Sequence, residues 1–310
     1  MCLNPIPCWH THEFGVKHKL HFKPNHFDLI ANNGVPTYYL PCGKCQGCLE
    51  DKVNRWVNRL VLESDSVDCG TFVTLTYADA PDKPSKRDLQ LFLKRLRHAS
   101  RDYGVPPFDF RYFAVAEHGG LRGRVHYHAL LFGVNMLDMA WQPFIATFDE
   151  HCNPVLSSKI LERIWNKGFV TVGEITSGRC RYIAKYMLKQ DGQEDNFCLK
   201  SMRLGVRSFF DIERKGKSVI YKPRFSDSVQ RLKDGFIHVT SDKGKLQKIR
   251  IPAAICNYLE HVDFDAYLES RFCRSLEGIK FSKNFDIAAY KAVLKDKKTK
   301  QQSKRRINHE

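Results

Sequence analysis

The succession of helical and strand-like segments over residues 49–189 constrains the fold of this 310-residue chain more than any other feature. Helical segments repeat apolar residues every three or four positions, and strand segments are rich in β-branched and aromatic residues. In chain order, the sequence predicts a helix at 49–64, a strand at 71–77, a helix at 85–96, strands at 110–117 and 124–132, a helix at 159–165, a strand at 169–175 and a helix at 181–189. Because two β-α-β-like units surround a central hairpin, we predict an α+β fold of ferredoxin-like type, with a central, mainly antiparallel sheet and helices packed on it.

The segments on either side of this region are less regular. Residues 1–48 are rich in Cys, His, Pro and Asn and predict an irregular arm, while residues 236–251 predict a β-hairpin and residues 255–268 a helix. The end of the chain is polar and basic, which is typical of a segment that does not fold alone. The predicted domains are the Cys-rich arm at 1–48, the α+β domain at 49–195, an extension of unknown role at 196–294 and a disordered basic tail at 295–310.

The charge of the chain indicates its class of partner. Fifty Lys and Arg residues against 34 Asp and Glu give a net charge of +16, which favours phosphate backbones. A charged surface that serves only solubility, or an RNA-binding structural protein, would have the same composition. No basic amphipathic helix stands apart from the fold, so we expect a nucleic-acid partner rather than a membrane.

The sequence also predicts where the protein works. Its start lacks the charged and apolar regions of a signal peptide, and its longest apolar run, residues 129–136, is far shorter than a membrane span. Eleven cysteines, an odd number, indicate reduced thiols rather than a disulfide framework. We therefore expect the protein in a cytoplasm.

Two histidines in the strand at 124–132 are candidate metal ligands. A strand has a period of two, so His126 and His128 share one face while Tyr127 points the other way. A hairpin brings Glu117, at the end of the preceding strand, close to them, and two histidines with one carboxylate leave open positions for substrate. Mg²⁺ or Mn²⁺ there would polarise a phosphate, although the same ligands allow Zn²⁺ or Fe²⁺. The alternative is two packed histidines and an ordinary strand-end carboxylate.

Two tyrosines in the last helix of this region are candidate nucleophiles. Tyr182 and Tyr186 lie four residues apart, hence on one helix face about one turn from each other. A phenol has an ordinary pKa of about 10 and needs neighbouring positive charge or a metal to react as a phenolate. Lys185 and Lys189 can provide that charge. The alternative is that the tyrosines only pack in a core.

Three cysteines before the first helix have metal-ligand spacing. Cys42, Cys45 and Cys48 follow a C-x₂-C-x₂-C pattern that suits structural Zn²⁺. A fourth ligand can come from Cys2, Cys8, His10 or His12. An iron–sulfur cluster, or reduced thiols around a glycine-rich turn, are the alternatives.

Together these motifs resemble the HUH-type rolling-circle replication initiators, specifically those of microviruses of the gokushovirus branch. Residues 72–77 look like the first strand motif of that family, and His126-Tyr127-His128 followed by residues 129–132 looks like its metal-binding motif. The segment from Tyr182 to Tyr186 looks like the tandem-tyrosine motif with its lysine, Lys185, and residues 41–48 match a cysteine pattern of the microviral branch. His118 stands where relatives often carry Tyr, which leaves open whether Glu117, His118 or neither completes the metal site.

The resemblance implies an HUH nicking and joining domain at 49–195 and a mechanism for replication. One tyrosine would nick the origin of the double-stranded replicative form, leaving a 5′-phosphotyrosine link and a 3′-OH for host DNA polymerase and helicase. The other would then cut the displaced strand, which is joined into a single-stranded circle in the cytoplasm of the bacterial host. A plasmid initiator, relaxase or transposase with the same core, or a non-catalytic, zinc-stabilised nucleic-acid-binding protein, is the alternative.

Overall fold

The computed structural model of the protein describes residues 2, 4–10, 20–26, 29, 34–36, 38–102, 110–119, 123–149, 152–189, 195–215, 218–240 and 244–283. The chain divides into two compact units, one of Met1–Lys52 with Leu268–Glu310 and one of Val53–Tyr267. The predicted basic tail and the His10-Thr11-His12 motif beyond His10 lie outside the described residues. The predicted domain boundaries stay a prediction.

Three short strands lie within the predicted N-terminal arm. They form an antiparallel sheet in the order β2-β1-β3, and the first long helix, α1, follows them. Their bounds are β1 Ile6–His10, β2 Leu20–His21, β3 Tyr38–Leu40 and α1 Gln46–Asp65. Strands of two to five residues are too short to give a clear period of two, so the sequence pattern did not predict them.

The larger unit contains a seven-stranded antiparallel sheet in the order β10-β5-β6-β4-β9-β8-β7. Its strands and helices are β4 Gly70–Tyr77, α2 Lys86–Asp102, β5 Arg111–His118, β6 Val125–Phe132, β7 Pro143–Phe148, β8 Pro154–Ser158, α3 Lys159–Trp165, β9 Gly168–Glu174, α4 Ser177–Lys189 and β10 Cys198–Lys200. The predicted elements of this region agree with these bounds to within a few residues at most ends, and α2 extends six residues further than predicted. Strands β7, β8 and β10 were not predicted, because β7 is mostly exposed and β10 has only three residues.

The four central strands have the predicted ferredoxin-like topology. Strand β4 runs through α2 to the parallel strand β5, and β6 lies between the two. Strand β6 continues to the parallel strand β9, with β4 between them. Each half is thus a split β-α-β unit, and all neighbouring strands are antiparallel. The predicted α+β fold is confirmed.

Helices cover both faces of the sheet. On one face, α2 and α3 pack against alternate residues of the strands, including Leu75, Tyr127 and Ala129. On the other face, α4 and the later part of α1 pack against Val115 and Leu130. Because side chains alternate along β6, Tyr127 faces α2 and its hydroxyl accepts a hydrogen bond from the backbone of the residue that caps that helix. The histidines on either side of Tyr127 therefore face α4.

Residues beyond β10 add two hairpins and a third core. The bounds are β11 Phe210–Lys215, β12 Ser218–Pro223, α5 Ser228–Asp234, β13 Phe236–Thr240, β14 Leu246–Arg250, α6 Ala253–Cys256, a 3₁₀ helix Asn257–His261 and α7 Phe264–Lys283. The predicted hairpin at 236–251 is confirmed. The continuous helix predicted at 255–268 is wrong, because the chain leaves helical geometry at Val262 and Asp263 caps a new helix through the amide of Ala266. No helix of the described residues is long and apolar enough to cross a membrane.

Gly168 permits the close approach of β9 to the end of β4. Its φ is +153°, and a Cβ there would overlap the backbone nitrogen of Ala78 and the carbonyl oxygen of Thr76. We expect Gly168→Ala to lower the free energy of unfolding by about 2 kcal/mol or more, because backbone atoms paired in a sheet cannot move aside. Chemical denaturation measures the loss. Gly178→Ala is the matched control, since a Cβ there meets only the Thr176 hydroxyl at 3.7 Å; an equal loss in both variants would contradict the argument.

Candidate active site

Strand pairing brings the three predicted metal ligands together. Glu117 on β5 lies directly opposite His126 on β6, and His128 follows two residues later on the same face. Oε2 of Glu117 lies 3.3 Å from Nε2 of His126 and 3.3 Å from Nε2 of His128. All three ligand atoms lie within 4.8 Å of one another. Ligands about 2.1 Å from one ion lie about 3.0 Å apart at right angles and about 3.4 Å apart at tetrahedral angles, so this spacing suits a single divalent cation.

Hydrogen bonds orient both imidazoles with Nε2 towards Glu117. Nδ1 of His126 donates to the carbonyl oxygen of Arg124 at 3.0 Å, because a carbonyl can only accept. That bond leaves the Nε2 lone pair of His126 available for a cation. Nδ1 of His128 lies 3.0 Å from the hydroxyl of Thr74, which holds the second ring in the matching orientation. Such partners behind the ligands commonly fix the ring and its tautomer.

Burial keeps His128 neutral near pH 7. The pKa of His128 is lowered to about 4, first by burial and then by the neighbouring His126, against an opposing effect of Glu117. Glu117 is itself buried. A neutral imidazole is the form that binds a metal ion, so the site does not need to lose a proton from His128 before it takes up a cation.

Helix α4 places both predicted tyrosines against this cluster. The helix starts at Ser177, four residues earlier than predicted, because the Thr176 hydroxyl caps it by accepting from the amide of Arg179. The Tyr182 hydroxyl lies 3.2 Å from Nε2 of His128. The ring of Tyr186 stacks on that of His128, with 5.9 Å between centroids, and the two tyrosine rings are 5.0 Å apart.

The two tyrosines differ in exposure. Tyr182 is 41% exposed, whereas Tyr186 is 8% exposed. Burial, followed by hydrogen bonding to Tyr182 and Glu117, raises the pKa of Tyr186 above its ordinary value. The phenol that solvent and a large substrate can reach directly is therefore that of Tyr182.

The structure separates the remaining predicted site residues from the ligand cluster. Lys185 is exposed on α4, and within the described part of the chain no hydrogen bond or ion pair joins it to the three ligands. His118, the other candidate for the third ligand, donates from Nδ1 to the carbonyl oxygen of Gly123 at 3.2 Å. Glu117, not His118, is the residue that lies with the two histidines.

Phe72, Thr74 and Arg179 complete the surroundings of the site and were not predicted as site residues. Phe72 stacks on His128 with centroids 5.6 Å apart, and the Arg179 guanidinium lies 5.2 Å from the centre of the Phe72 ring. The period of two in β4 puts Phe72 and Thr74 on one face. Only the pairing of β4 with β6 sets Thr74 opposite His128, so the sequence alone carried little signal for these contacts.

The three predicted cysteine ligands form a separate cluster with Cys2. The four Sγ atoms of Cys2, Cys42, Cys45 and Cys48 lie within 4.8 Å of one another. Burial raises the pKa of Cys48 to about 12, whereas backbone N–H groups of Lys44 and Cys45 lower the pKa of Cys42. Of the proposed fourth ligands, Cys8 is buried but does not belong to this group.

Sequence comparisons agree with this architecture. The model of a family of replication-associated proteins of the ORF2 type matches residues 70–191, which hold the sheet core, the ligand cluster and both tyrosines. The chain is 29% identical over 267 residues to replication-associated protein ORF2 of Spiroplasma virus 4, covering 81% of this chain and 78% of that protein. No solved structure matches the chain.

Two further relatives come from other phages. Replication-associated protein ORF4 of Chlamydia phage 1 is 28% identical over 180 residues, covering 53% of this chain and 42% of that protein. Replication-associated protein VP4 of Bdellovibrio phage phiMH2K is 28% identical over 164 residues, covering 50% of each chain. The chain spans about half the length of these two relatives or less. The findings confirm the predicted resemblance and place the chain among phage replication-associated proteins.

Proposed function

We propose that the protein is a site-specific DNA nickase and strand joiner that starts rolling-circle replication of a phage genome. The observation that carries the proposal is the position of the Tyr182 hydroxyl, 3.2 Å from Nε2 of His128 in the Glu117–His126–His128 cluster. A nucleophile beside a set of metal ligands is the arrangement needed to attack a phosphate held at that metal. A core in which tyrosines only pack would bury both rings, whereas Tyr182 is largely exposed.

Glu117, His126 and His128 would hold Mg²⁺ or Mn²⁺. The fit rests on the 3.3 Å spacing of the ligand atoms, on the Nε2 lone pair of His126 and on the neutral state of His128. When bound, the cation supplies Lewis-acid polarisation of the scissile phosphate.

The Tyr182 oxygen would attack the phosphorus of the origin phosphodiester. A bond forms between that oxygen and phosphorus, and the bond from phosphorus to the 3′ oxygen breaks. The phenol loses its proton and the departing 3′ oxygen gains one, which leaves a 5′-phosphotyrosine and a free 3′-OH. Each bond broken is replaced by one of the same kind, so the phosphodiester energy is retained and joining needs no ATP.

Tyr186 would act second. It is more buried and its phenol is harder to ionise than an exposed one, whereas Tyr182 is accessible from the start. Tyr186 would cut the regenerated origin, and the released 3′-OH would attack the Tyr182 adduct and close a single-stranded circle. Lys185 lies between them in sequence, and its ammonium would favour the phenolate of either residue.

The partners follow from this chemistry. The positive charge of the chain would attract the origin DNA and the displaced single strand. A free 3′-OH needs a host DNA polymerase to extend it, and the displaced strand needs a host helicase to separate it. Both enzymes would be met in the cytoplasm of the bacterial host.

A covalent adduct tests the proposal. The full chain is mixed with Mn²⁺ and a supercoiled plasmid carrying the phage replicative form. We expect relaxed DNA linked to protein that survives denaturation with detergent, with the radiolabelled 5′ end retained on the protein after nuclease digestion. Omitting Mn²⁺ or adding EDTA is expected to abolish the product.

Tyr112→Phe is the matched control for any tyrosine variant. Tyr112 lies on β5 among the core residues of the opposite sheet face, so its variant is expected to form the adduct at the wild-type rate. Absence of an adduct with either duplex or single-stranded genome fragments, when the protein still binds them, would favour the non-catalytic nucleic-acid-binding alternative.

A further inference from the structure

The cysteine cluster of the N-terminal unit has the geometry of a closed tetrahedral metal site. Sγ of Cys42 lies 4.0 Å from Sγ of Cys48, and Sγ of Cys45 lies 3.8 Å from Sγ of Cys2. Two sulfurs bound about 2.3 Å from one zinc ion at the tetrahedral angle lie about 3.8 Å apart. The observed spacing therefore suits four thiolates on a single ion, and a disulfide would bring two sulfurs to about 2.0 Å.

Backbone amides support the sulfurs as they do in structural zinc sites. The amide of Cys42 donates to Sγ of Cys2 at 3.2 Å, and the amide of Cys45 donates to Sγ of Cys42 at 3.4 Å. Each bond stabilises negative charge on a sulfur, so the loop favours thiolates. Gly43 has a φ of +75°, a backbone conformation that turns the loop between the first two cysteines.

We infer that Cys2, Cys42, Cys45 and Cys48 bind one structural Zn²⁺ ion that joins the N-terminal residues to the start of α1. The ion would link Cys2 to a loop about 40 residues later in the chain, on either side of the three-stranded sheet. Four protein ligands leave no open position, so the site serves folding and not catalysis. All four sulfurs lie within 4.8 Å of one another, which is the span of ligands around a single ion rather than around a polynuclear cluster.

Cys2 is the ligand that the sequence motif did not identify, and it gives the sharpest test. The full chain is purified without chelator, with a tag at its C-terminal end that contains no histidines, since histidines bind zinc. We expect one zinc per chain by elemental analysis beyond any ion at the histidine cluster. Cys2→Ser is expected to weaken zinc binding by about 100-fold or more, measured by competition with a chromophoric chelator.

Matched variants separate this site from other zinc sites. Cys2→His retains a nitrogen ligand and is expected to recover tight binding, while Cys152→Ser, at an exposed cysteine outside the cluster, is expected to match the wild type. His126→Ala is expected to keep the cysteine-bound zinc. Cobalt substitution is expected to give thiolate charge-transfer bands that Cys2→Ser weakens.

Two results would overturn the inference. One is a chelator-free preparation with no zinc beyond what the histidine variant removes. The other is a Cys2→Ser protein that holds zinc as tightly as the wild type, which would show that Cys2 is not a ligand. Both readouts are independent of nicking, so failure here leaves the proposed nickase untouched.

Discussion

The Tyr182→Phe variant is expected to lose the first DNA cleavage by about 10³-fold or more, because it removes the only oxygen of that side chain. Phenylalanine keeps the ring that lies against His128 and Phe72, so the fold is expected to be unchanged. The measurement is the rate of covalent adduct formation with Mn²⁺ and replicative-form DNA, with circular dichroism to check the fold. Wild-type adduct formation by this variant would remove Tyr182 as the first nucleophile.

Tyr186→Phe is the informative partner of that variant. Because Tyr186 would act only in the second cut, its variant is expected to form the first adduct at nearly the wild-type rate and to yield no joined single-stranded circle. Two-dimensional gel analysis of the products separates these steps. If Tyr186→Phe blocked the first adduct and Tyr182→Phe did not, the order inferred from exposure would be reversed.

Glu117→Gln is expected to weaken Mn²⁺ binding by about 100-fold or more and to reduce nicking in parallel. The substitution keeps the size of the side chain but removes the negative charge that lies 3.3 Å from both Nε2 atoms. Loss of residues that merely orient a ligand already costs about 10- to 100-fold in affinity, so loss of a ligand charge is expected to cost at least as much. Titration calorimetry with the purified chain measures the change.

His118→Ala is the control for the third ligand. His118 neighbours Glu117 in the sequence, but its Nδ1 donates to Gly123 in the turn and not to the cluster. We expect this variant to bind Mn²⁺ with nearly the wild-type affinity. The opposite pattern, with affinity lost in His118→Ala and kept in Glu117→Gln, would assign the third position to His118. High Mn²⁺ concentrations are expected to restore part of the nicking by Glu117→Gln only if the two histidines remain ligands.

The ferredoxin-like core could be predicted because its elements are long and periodic. Strand β4 alternates buried and half-buried residues along its whole length, and the buried stripe of α2, with Leu89, Phe92, Leu93 and Leu96, has clear helical spacing. The short strands β1, β2, β3 and β10 carry too few residues for any period to appear. The end of the extension was predicted as one helix because apolar spacing continues across Val262, where the backbone breaks.

The candidate site was predictable in its residue types and not in its contacts. Local periods put His126 with His128 and Tyr182 with Tyr186, because each pair lies within one element. The identity of the third ligand depends on the register of β5 against β6, which the hairpin turn and the burial pattern set together.

The sequence by itself determined the central elements, their order, the pairs of candidate ligands and nucleophiles, and the positive charge that suits DNA. The tertiary structure decided which pairs meet. It set Glu117, not His118, between the histidines, brought Tyr182 within 3.2 Å of His128 while burying Tyr186, and joined Cys2 to cysteines 40 or more residues away. The physical reason is that local patterns record a residue's own strand or helix, whereas distances between elements depend on strand register and packing that no single segment encodes.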